Sequence, residues 1–159
     1  MNFLRSTPGE EPLILEAMFR ATPERVFRAW TEPEEIKAWF GLRKNEVTKA
    51  EIDLKVGGTW RFHLRTEAAS AAFFEGRYFD IEPARKLVFS WTHVTLTEDG
   101  ERNATVESRV TVTFEPAGAA TRVHLRHESL SEGGRVNVAR GWDGSFTNLD
   151  TLFSGEAQS

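Results

Sequence analysis

The sequence predicts an α+β domain in which an antiparallel sheet packs against one long C-terminal helix. Between residues 46 and 128 apolar side chains recur at every second position, which is the repeat of a strand with one buried face. After residue 131 they recur at the wider spacing of a helix. The strand-like runs follow one another with short connections. They therefore pair antiparallel, because parallel pairing needs crossover helices. We expect about seven strands.

One strand and two short helices precede most of this sheet. Residues 13–21 alternate imperfectly between apolar and polar types, as a first strand does. Thr22 then provides an N-cap hydroxyl, and Pro23 suits the first turn of a helix. A second helix starts at Glu32-Pro33 and stops near Gly41. The apolar faces of the two helices comprise Val26, Phe27, Trp30, Ile36, Trp39 and Phe40.

Six further strands follow, and four of them have a clearly assigned inward face. Turn-forming residues separate the runs at Gly57-Gly58, Glu82-Pro83, Asp99-Gly100 and residues 116–118. Residues 73–81 also form a strand, but aromatic residues occupy both of its faces, so the pattern does not assign its inward face. The four inward sets are Trp60, Phe62 and Leu64; Leu87, Phe89, Trp91 and His93; Val110, Val112 and Phe114; and Val123, Leu125 and His127.

A single long helix follows the sheet. Ser131 or the pair Gly133-Gly134 marks its approach, and Gly155 marks its end. No internal repeat or linker divides the chain. We therefore expect a flexible N-terminus over residues 1–11, one domain over residues 12–154 and a loose tail over residues 155–159. The apolar stripe of the helix, at positions i, i+4, i+7 and i+11, consists of Trp142, Phe146, Leu149 and Phe153.

Composition excludes several classes of protein. The formal net charge of −4 and the isoelectric point near 5.6 do not suit nonspecific nucleic-acid binding, which needs a basic surface. No apolar run reaches the length of about 18 residues that a membrane span requires. Residues 1–11 lack the apolar core of a signal peptide, and the absence of cysteine excludes disulfides and thiolate metal sites. We expect a cytoplasmic protein without a nucleic-acid partner.

The sequence predicts neither a metal site nor a catalytic motif. His124 and His127 are the closest histidine pair, but residues three apart on a strand point to opposite faces and cannot chelate one ion. Ser145 lies inside the predicted helix, outside any G-x-S-x-G elbow. Gly133-Gly134 lacks the lysine of a phosphate-binding loop. We therefore expect no catalytic residue, no metal and no cofactor.

Two histidines, His93 and His127, are predicted to point inward. Because histidine titrates near neutral pH, either could bind a polar group of a ligand or act as a general acid or base. Alternatively, each is hydrogen-bonded at the rim of the core, as buried polar groups normally are. We favour the second interpretation.

Aromatic residues of the sheet and of the C-terminal helix are predicted to face one another. They could fill a packed core, where such residues belong by default. They could also line an apolar pocket, left where a strongly curved sheet cannot close fully on one helix. The sequence leaves both interpretations open. The residues are Trp60, Phe62, Phe89, Trp91, Phe114, Trp142, Phe146 and Phe153.

An outward-facing basic series follows two of the strands. Interspersed glutamates and the negative total charge favour a solvated sheet face over a patch for an acidic partner. The series consists of Arg61, His63, Arg65, Arg122, His124 and Arg126.

Several segments in order resemble a known family. They are ATPERVFRAW at residues 21–30, Trp39, DLKVGGTWRF at residues 53–62, EPARKLVFSW at residues 82–91, and VTFEP with GAATRVHLRHE within residues 111–128. Gly141-Trp142 followed by Leu149 closes the pattern. Together they are similar to proteins like the activator of heat-shock-protein-90 ATPase, within the START-like (SRPBCC) superfamily to which the birch-pollen allergen belongs.

The resemblance implies a helix-grip fold, in which a curved sheet grips the C-terminal helix around a cavity. Members commonly hold small apolar molecules there, so the first hypothesis is a stand-alone domain that binds a small apolar or amphipathic molecule. The second is a co-chaperone-like module that acts on a heat-shock ATPase. The third is a cyclase, dehydratase or hydrolase with His93, His127 or Glu75 as acid or base.

The expected ligand cavity lies between the sheet and the C-terminal helix. We expect the protein to be a monomer or a homodimer. The residues expected to line the cavity are Trp39, Phe40, Trp60, Phe62, Phe89, Trp91, His93, Phe114, Leu125, His127, Trp142, Phe146, Leu149 and Phe153.

Overall fold

The computed structural model describes residues 3–41, 46–66 and 71–157. These residues form an open antiparallel sheet, two short helices and a long C-terminal helix, which confirms the helix-grip α+β fold. The helices are α1 (Pro23–Thr31), α2 (Pro33–Trp39) and α3 (Arg135–Ala157), the last preceded by a 3-10 turn at Glu132–Gly134. The strands are β1 (Phe3–Arg5), β2 (Leu13–Phe19), β3 (Val47–Ile52), β4 (Thr59–Leu64), β5 (Ala71–Glu82), β6 (Lys86–Leu96), β7 (Arg102–Ala104), β8 (Ser108–Ala117) and β9 (Ala120–Glu128).

The sheet follows the order β1-β2-β9-β8-β6-β5-β4-β3, and β7 pairs with the end of β6. The described part of the chain thus has nine strands, so the expected count of about seven is wrong. The additional strands, β1 and β7, span only 3 residues each, which is too short for a period-two pattern to be recognised. β1 lies within residues 1–11, where the sequence pattern predicts a flexible segment.

The N-terminal helices form as the sequence predicts. The Thr22 hydroxyl accepts the Arg25 N–H at 3.2 Å, and Pro23 occupies the first turn of α1. Trp30 of α1 lies at the centre of the core, with its ring centroid 4.8 Å from that of Trp39 and 5.8 Å from that of Trp142. Tryptophan contacts therefore pack α1 against both α2 and α3.

The C-terminal helix passes through Gly155, where the sequence pattern expects it to end. Gly155 lies inside α3, which continues to Ala157. The last turn is held by an ion pair between the Arg25 guanidinium of α1 and Glu156, at 2.5 Å. Tertiary contact thus extends the helix beyond a local stop signal, into the predicted loose tail.

The inward face of β5, which the sequence left unassigned, carries Phe74 and Tyr78. Phe73 lies on the opposite, outer face, yet it is only 5% exposed. The Arg61 guanidinium covers its ring at 4.4 Å from the centroid, which accounts for this burial. Both faces of β5 hold aromatic residues because one face packs in the core and the other packs under arginine.

Candidate functional site

A cavity of about 480 Å³ opens beside the first half of α3. Its remaining walls come from the end of α2, from β5 and β6, and from the segments that follow β7 and β9. The inner wall is apolar and consists of Phe40, Phe74, Trp91, Leu130, Val138 and Trp142. The mouth is more polar and includes His93, Thr105, Asn137 and Arg140.

The structure divides the residues expected to line a cavity into two groups. Four of them, Phe40, Trp91, His93 and Trp142, do line it. The others lie outside its lining and are buried in the core: Trp39, Trp60, Phe62, Phe89, Phe114, Leu125, His127, Phe146, Leu149 and Phe153. Behind Phe40 and Trp91 only a void of about 10 Å³ remains, which is no more than the room of a single water molecule.

His127 is fully buried and joins two walls of the cavity through hydrogen bonds. The Trp142 indole N–H donates to His127 Nδ1 at 3.0 Å, so this nitrogen carries no proton. Nε2 therefore carries the proton and donates to Ser108 Oγ at 2.8 Å. The Ser108 hydroxyl in turn donates to the Trp91 carbonyl at 3.2 Å. Each hydrogen in the chain from Trp142 to Trp91 has one acceptor.

The imidazole of His127 is neutral in this arrangement. Burial lowers its pKa to about 3 from an ordinary value of 6.5. Its position outside the cavity lining agrees with the interpretation that it is a hydrogen-bonded core histidine. It acts on the cavity through Trp142, whose ring it holds in place.

His93 differs from His127 because its side chain faces the cavity. Its ring packs on Phe74 with the centroids 4.8 Å apart, and its backbone N–H donates to Thr105 Oγ1 at 2.9 Å. No hydrogen bond to its imidazole comes from the described part of the chain. Burial lowers the pKa of His93, which favours the neutral ring. A neutral imidazole offers one donor and one acceptor to a bound molecule.

The end of α2 is fastened to α3 next to the cavity. Ser145 Oγ accepts the Gly41 N–H at 2.9 Å, and the Asn148 amide donates to the carbonyls of Trp39 and Gly41 at 3.2 Å. Gly41 has a φ of +114°, a backbone conformation that favours glycine. The cavity wall at Phe40 is therefore fixed by polar contacts that no aromatic pattern predicts.

Sequence reasoning missed several lining residues, and only one of them had a usable signal. Val138 lies four residues before Trp142, so the apolar stripe of the C-terminal helix could have been extended to it. Phe74 was missed because β5 carries aromatic residues on both faces. Arg140 lies on the polar side of the stripe and offers no periodic signal.

The outer face of the sheet is a network of ion pairs. Glu75, a candidate acid, lies there rather than in the cavity, with its oxygens 3.1 Å from Arg61 and 3.4 Å from Arg102. His63 pairs with Glu51 at 2.5 Å, and His124 pairs with Glu16 at 3.2 Å. These contacts agree with a solvated sheet face. Within the described ranges no three His, Asp or Glu side chains group as metal ligands.

Family comparison decides what kind of domain carries this cavity. The family model described as "Activator of Hsp90 ATPase homolog 1-like protein" matches residues 20–154. The chain belongs to this family. The match confirms the resemblance drawn from the sequence segments. A search of curated proteins finds no significant match.

Solved structures share the fold of this chain at low sequence identity. A protein from Rhodobacter sphaeroides is 21% identical with a TM-score of 0.76, and the alignment covers 97% of this chain and 99% of that one. CalU16 from Micromonospora echinospora is 25% identical with a TM-score of 0.68, over 99% and 90% of the two chains. A protein from Arthrobacter aurescens is 20% identical with a TM-score of 0.74, over 96% and 91%. None of the helices described here is long and apolar enough to cross a membrane.

Proposed function

We propose that the protein binds a small, mainly apolar molecule in the cavity beside α3. The observation that carries this proposal is an open cavity of about 480 Å³, behind which the described core residues leave a void of only about 10 Å³. Ligand sites in proteins typically occupy about 300–1,000 Å³ and combine apolar walls with a few polar groups. The cavity has that size and composition, and the family is one in which such binding is common.

The walls of the cavity are held by directional contacts, which supports a preformed site. Trp142 and Trp91 are joined through His127 and Ser108, and Gly41 is hydrogen-bonded to Ser145. Closing the cavity would require breaking such buried hydrogen bonds, at a cost of about 1–3 kcal/mol for each group left unpaired. A rigid apolar site binds with little loss of conformational entropy.

Filling the cavity tests the proposal. Val138 lines it, whereas Val136, two residues away on α3, is 46% exposed and lies outside the lining. We expect Val138→Trp to weaken binding of the neutral fluorescent probe N-phenyl-1-naphthylamine by about tenfold or more, because the indole occupies the ligand volume. Val136→Trp adds the same bulk outside the cavity and should leave the affinity unchanged.

Two results would count against ligand binding at this site. The first is a probe affinity that is equal in the two variants. The second is an unmodified chain that does not bind the probe at all. Thermal unfolding of both variants shows that each is folded during the titration.

The family match itself favours a second candidate, an effect on a heat-shock ATPase. The model that matches residues 20–154 is named for such an activator. If this role holds, the purified chain should raise the ATPase rate of an Hsp90-type chaperone, and the Val138→Trp variant should do so equally, because the cavity takes no part. An unchanged rate at saturating protein removes this candidate.

A further inference from the structure

We infer that the molecule bound beside α3 is a compact aromatic carboxylic acid, whose rings pack on the inner wall and whose carboxylate faces Arg140 at the mouth. The inference rests on the proposed ligand binding and goes beyond it by naming the chemical class. Three observations support it: the paired state of the surrounding charges, the short depth of the cavity, and the aromatic composition of its wall.

Arg140 is a cation of the cavity lining that has no carboxylate partner among the described residues. Two other described arginines beside the first half of α3 are paired, because Arg135 lies 3.8 Å from Glu11 and Arg5 pairs with Asp143. An arginine presents several N–H donors in a plane that matches a carboxylate. Arg140 is thus the group at the mouth that is available to an anionic ligand.

No ion pair among the described residues joins Arg140 to the acidic residue of the lining. This residue, Glu46, lies beside Gly41 and has an interaction of its own. His93 adds a neutral hydrogen-bonding group to the mouth. The exposed polar groups of the described lining are at the mouth, whereas the buried Ser145 hydroxyl is bonded to Gly41.

The depth of the cavity limits the shape of the ligand. Beyond Phe40 and Trp91 the described residues leave a void of about 10 Å³, which is too small to continue the cavity into the core. A long alkyl chain has no place to extend, whereas a fused or paired ring system fits a volume of about 480 Å³.

The composition of the wall favours an aromatic body. Trp91 lies between two other lining rings, with its centroid 4.4 Å from that of Phe74 and 5.3 Å from that of Trp142. Aromatic rings pair in offset or edge-to-face geometry with a gain beyond simple burial. A planar ligand can join this group of rings where they line the cavity.

A matched pair of probes tests the charge. Isothermal titration calorimetry of the full chain compares 2-naphthoate with its neutral analogue 2-naphthamide. We expect 2-naphthoate to bind about tenfold or more tightly, because a hydrogen bond to a charged group is worth about 1.5–3 kcal/mol. Arg140→Met should remove this preference because it weakens 2-naphthoate more than 2-naphthamide, and Arg140→Lys should retain part of it.

Arg126→Met serves as the matched control. Arg126 lies on the outer face of the sheet, where it pairs with Glu128 at 3.7 Å. Its replacement removes the same charge from the chain, so a preference that persists in this variant but not in Arg140→Met assigns the effect to the cavity mouth.

Several results would overturn the inference while leaving ligand binding intact. They are equal affinity for the two probes, a preference that survives Arg140→Met, and tighter binding of palmitate than of 2-naphthoate. Failure of the proposed function has a different signature, in which both naphthalene probes fail to bind or bind equally well to Val138→Trp, and the inference then fails with it.

Discussion

At the scale of single residues, the arrangement of the cavity depends on the buried hydrogen bonds of His127. The imidazole accepts one hydrogen bond, from the Trp142 indole, and donates another, to the Ser108 hydroxyl. A side chain that cannot do both leaves a buried donor or acceptor unpaired. Such groups cost more than an average hydrogen bond gains.

Replacing His127 by phenylalanine should therefore destabilise the fold. The Trp142 indole N–H loses its acceptor and the Ser108 hydroxyl loses its donor, while the ring volume is nearly kept. We expect the free energy of unfolding, measured by urea denaturation, to fall by roughly 2–4 kcal/mol.

The control is His124→Phe, three residues earlier on the exposed face of β9. This variant should change the free energy of unfolding by about 0.5 kcal/mol or less. Equal losses in the two variants would show that the buried chain contributes nothing.

The same histidine predicts how stability changes in acid. Its pKa is lowered to about 3 in the folded chain, whereas the unfolded chain has the ordinary value of about 6.5. Below pH 6.5 the unfolded chain binds the proton and the folded chain does not. The contribution of the neutral, buried His127 to the free energy of unfolding is therefore fully present above about pH 6.5. It is lost as the pH falls towards about 3.

We expect the stability difference between the unmodified chain and His127→Phe to shrink by about 1.4 kcal/mol per pH unit below about pH 6. Urea denaturation at a series of pH values measures it. A difference that stays constant from about pH 7 to about pH 5 would mean that His127 is protonated equally in both states.

At the scale of elements, the contact between β4, β5 and β6 requires a glycine. A Cβ at Gly76 would lie 2.0 Å from the Ser90 carbonyl oxygen and 2.8 Å from the Trp60 indole nitrogen. The Ser90 carbonyl is part of the β6 backbone, so it cannot move away from the added Cβ unless the strand itself shifts. The Trp60 ring is 2% exposed and has equally little room.

Gly76→Ala should thus be strongly destabilising, by about 2 kcal/mol or more, since it forces two strands apart. Gly141→Ala is the contrasting change, because nothing lies within 4 Å of its Cβ position on α3. That variant should gain up to about 1 kcal/mol from helix propensity. Thermal unfolding of the two variants distinguishes them. A shift of the same sign in both would contradict the close approach at Gly76.

At the scale of the whole molecule, the order of elements was predictable because each type of element has its own repeat. The alternation at Trp60, Phe62 and Leu64 and the wider spacing of the α3 stripe are both local signals. β1 and β7 were not predictable, because 3 residues contain too little repetition. The extension of α3 past Gly155 depends on Arg25, which is 131 residues from Glu156 in the sequence.

The cavity was only partly predictable, for a physical reason. Phe40 and Phe62 are the same residue type, and both are buried. Phe40 lines the cavity and Phe62 does not, because other side chains fill the space next to Phe62. Whether that space is filled depends on how several elements pack together. Pattern reasoning identifies buried residues well. It does not distinguish a wall from a filled interior, and it does not detect a polar mouth residue such as Arg140.

The contact between Trp91 and Trp142 gives the domain a built-in optical reporter. The two indoles lie 5.3 Å apart at the cavity wall, and Trp30 stacks on Trp142 at 5.8 Å with an interplanar angle of 22°. Rings this close share their electronic excitations, and the Trp142 indole at the centre of the three is held by its hydrogen bond to His127. Occupancy of the cavity should therefore change the near-ultraviolet circular dichroism and the intrinsic emission of the protein, without any attached label.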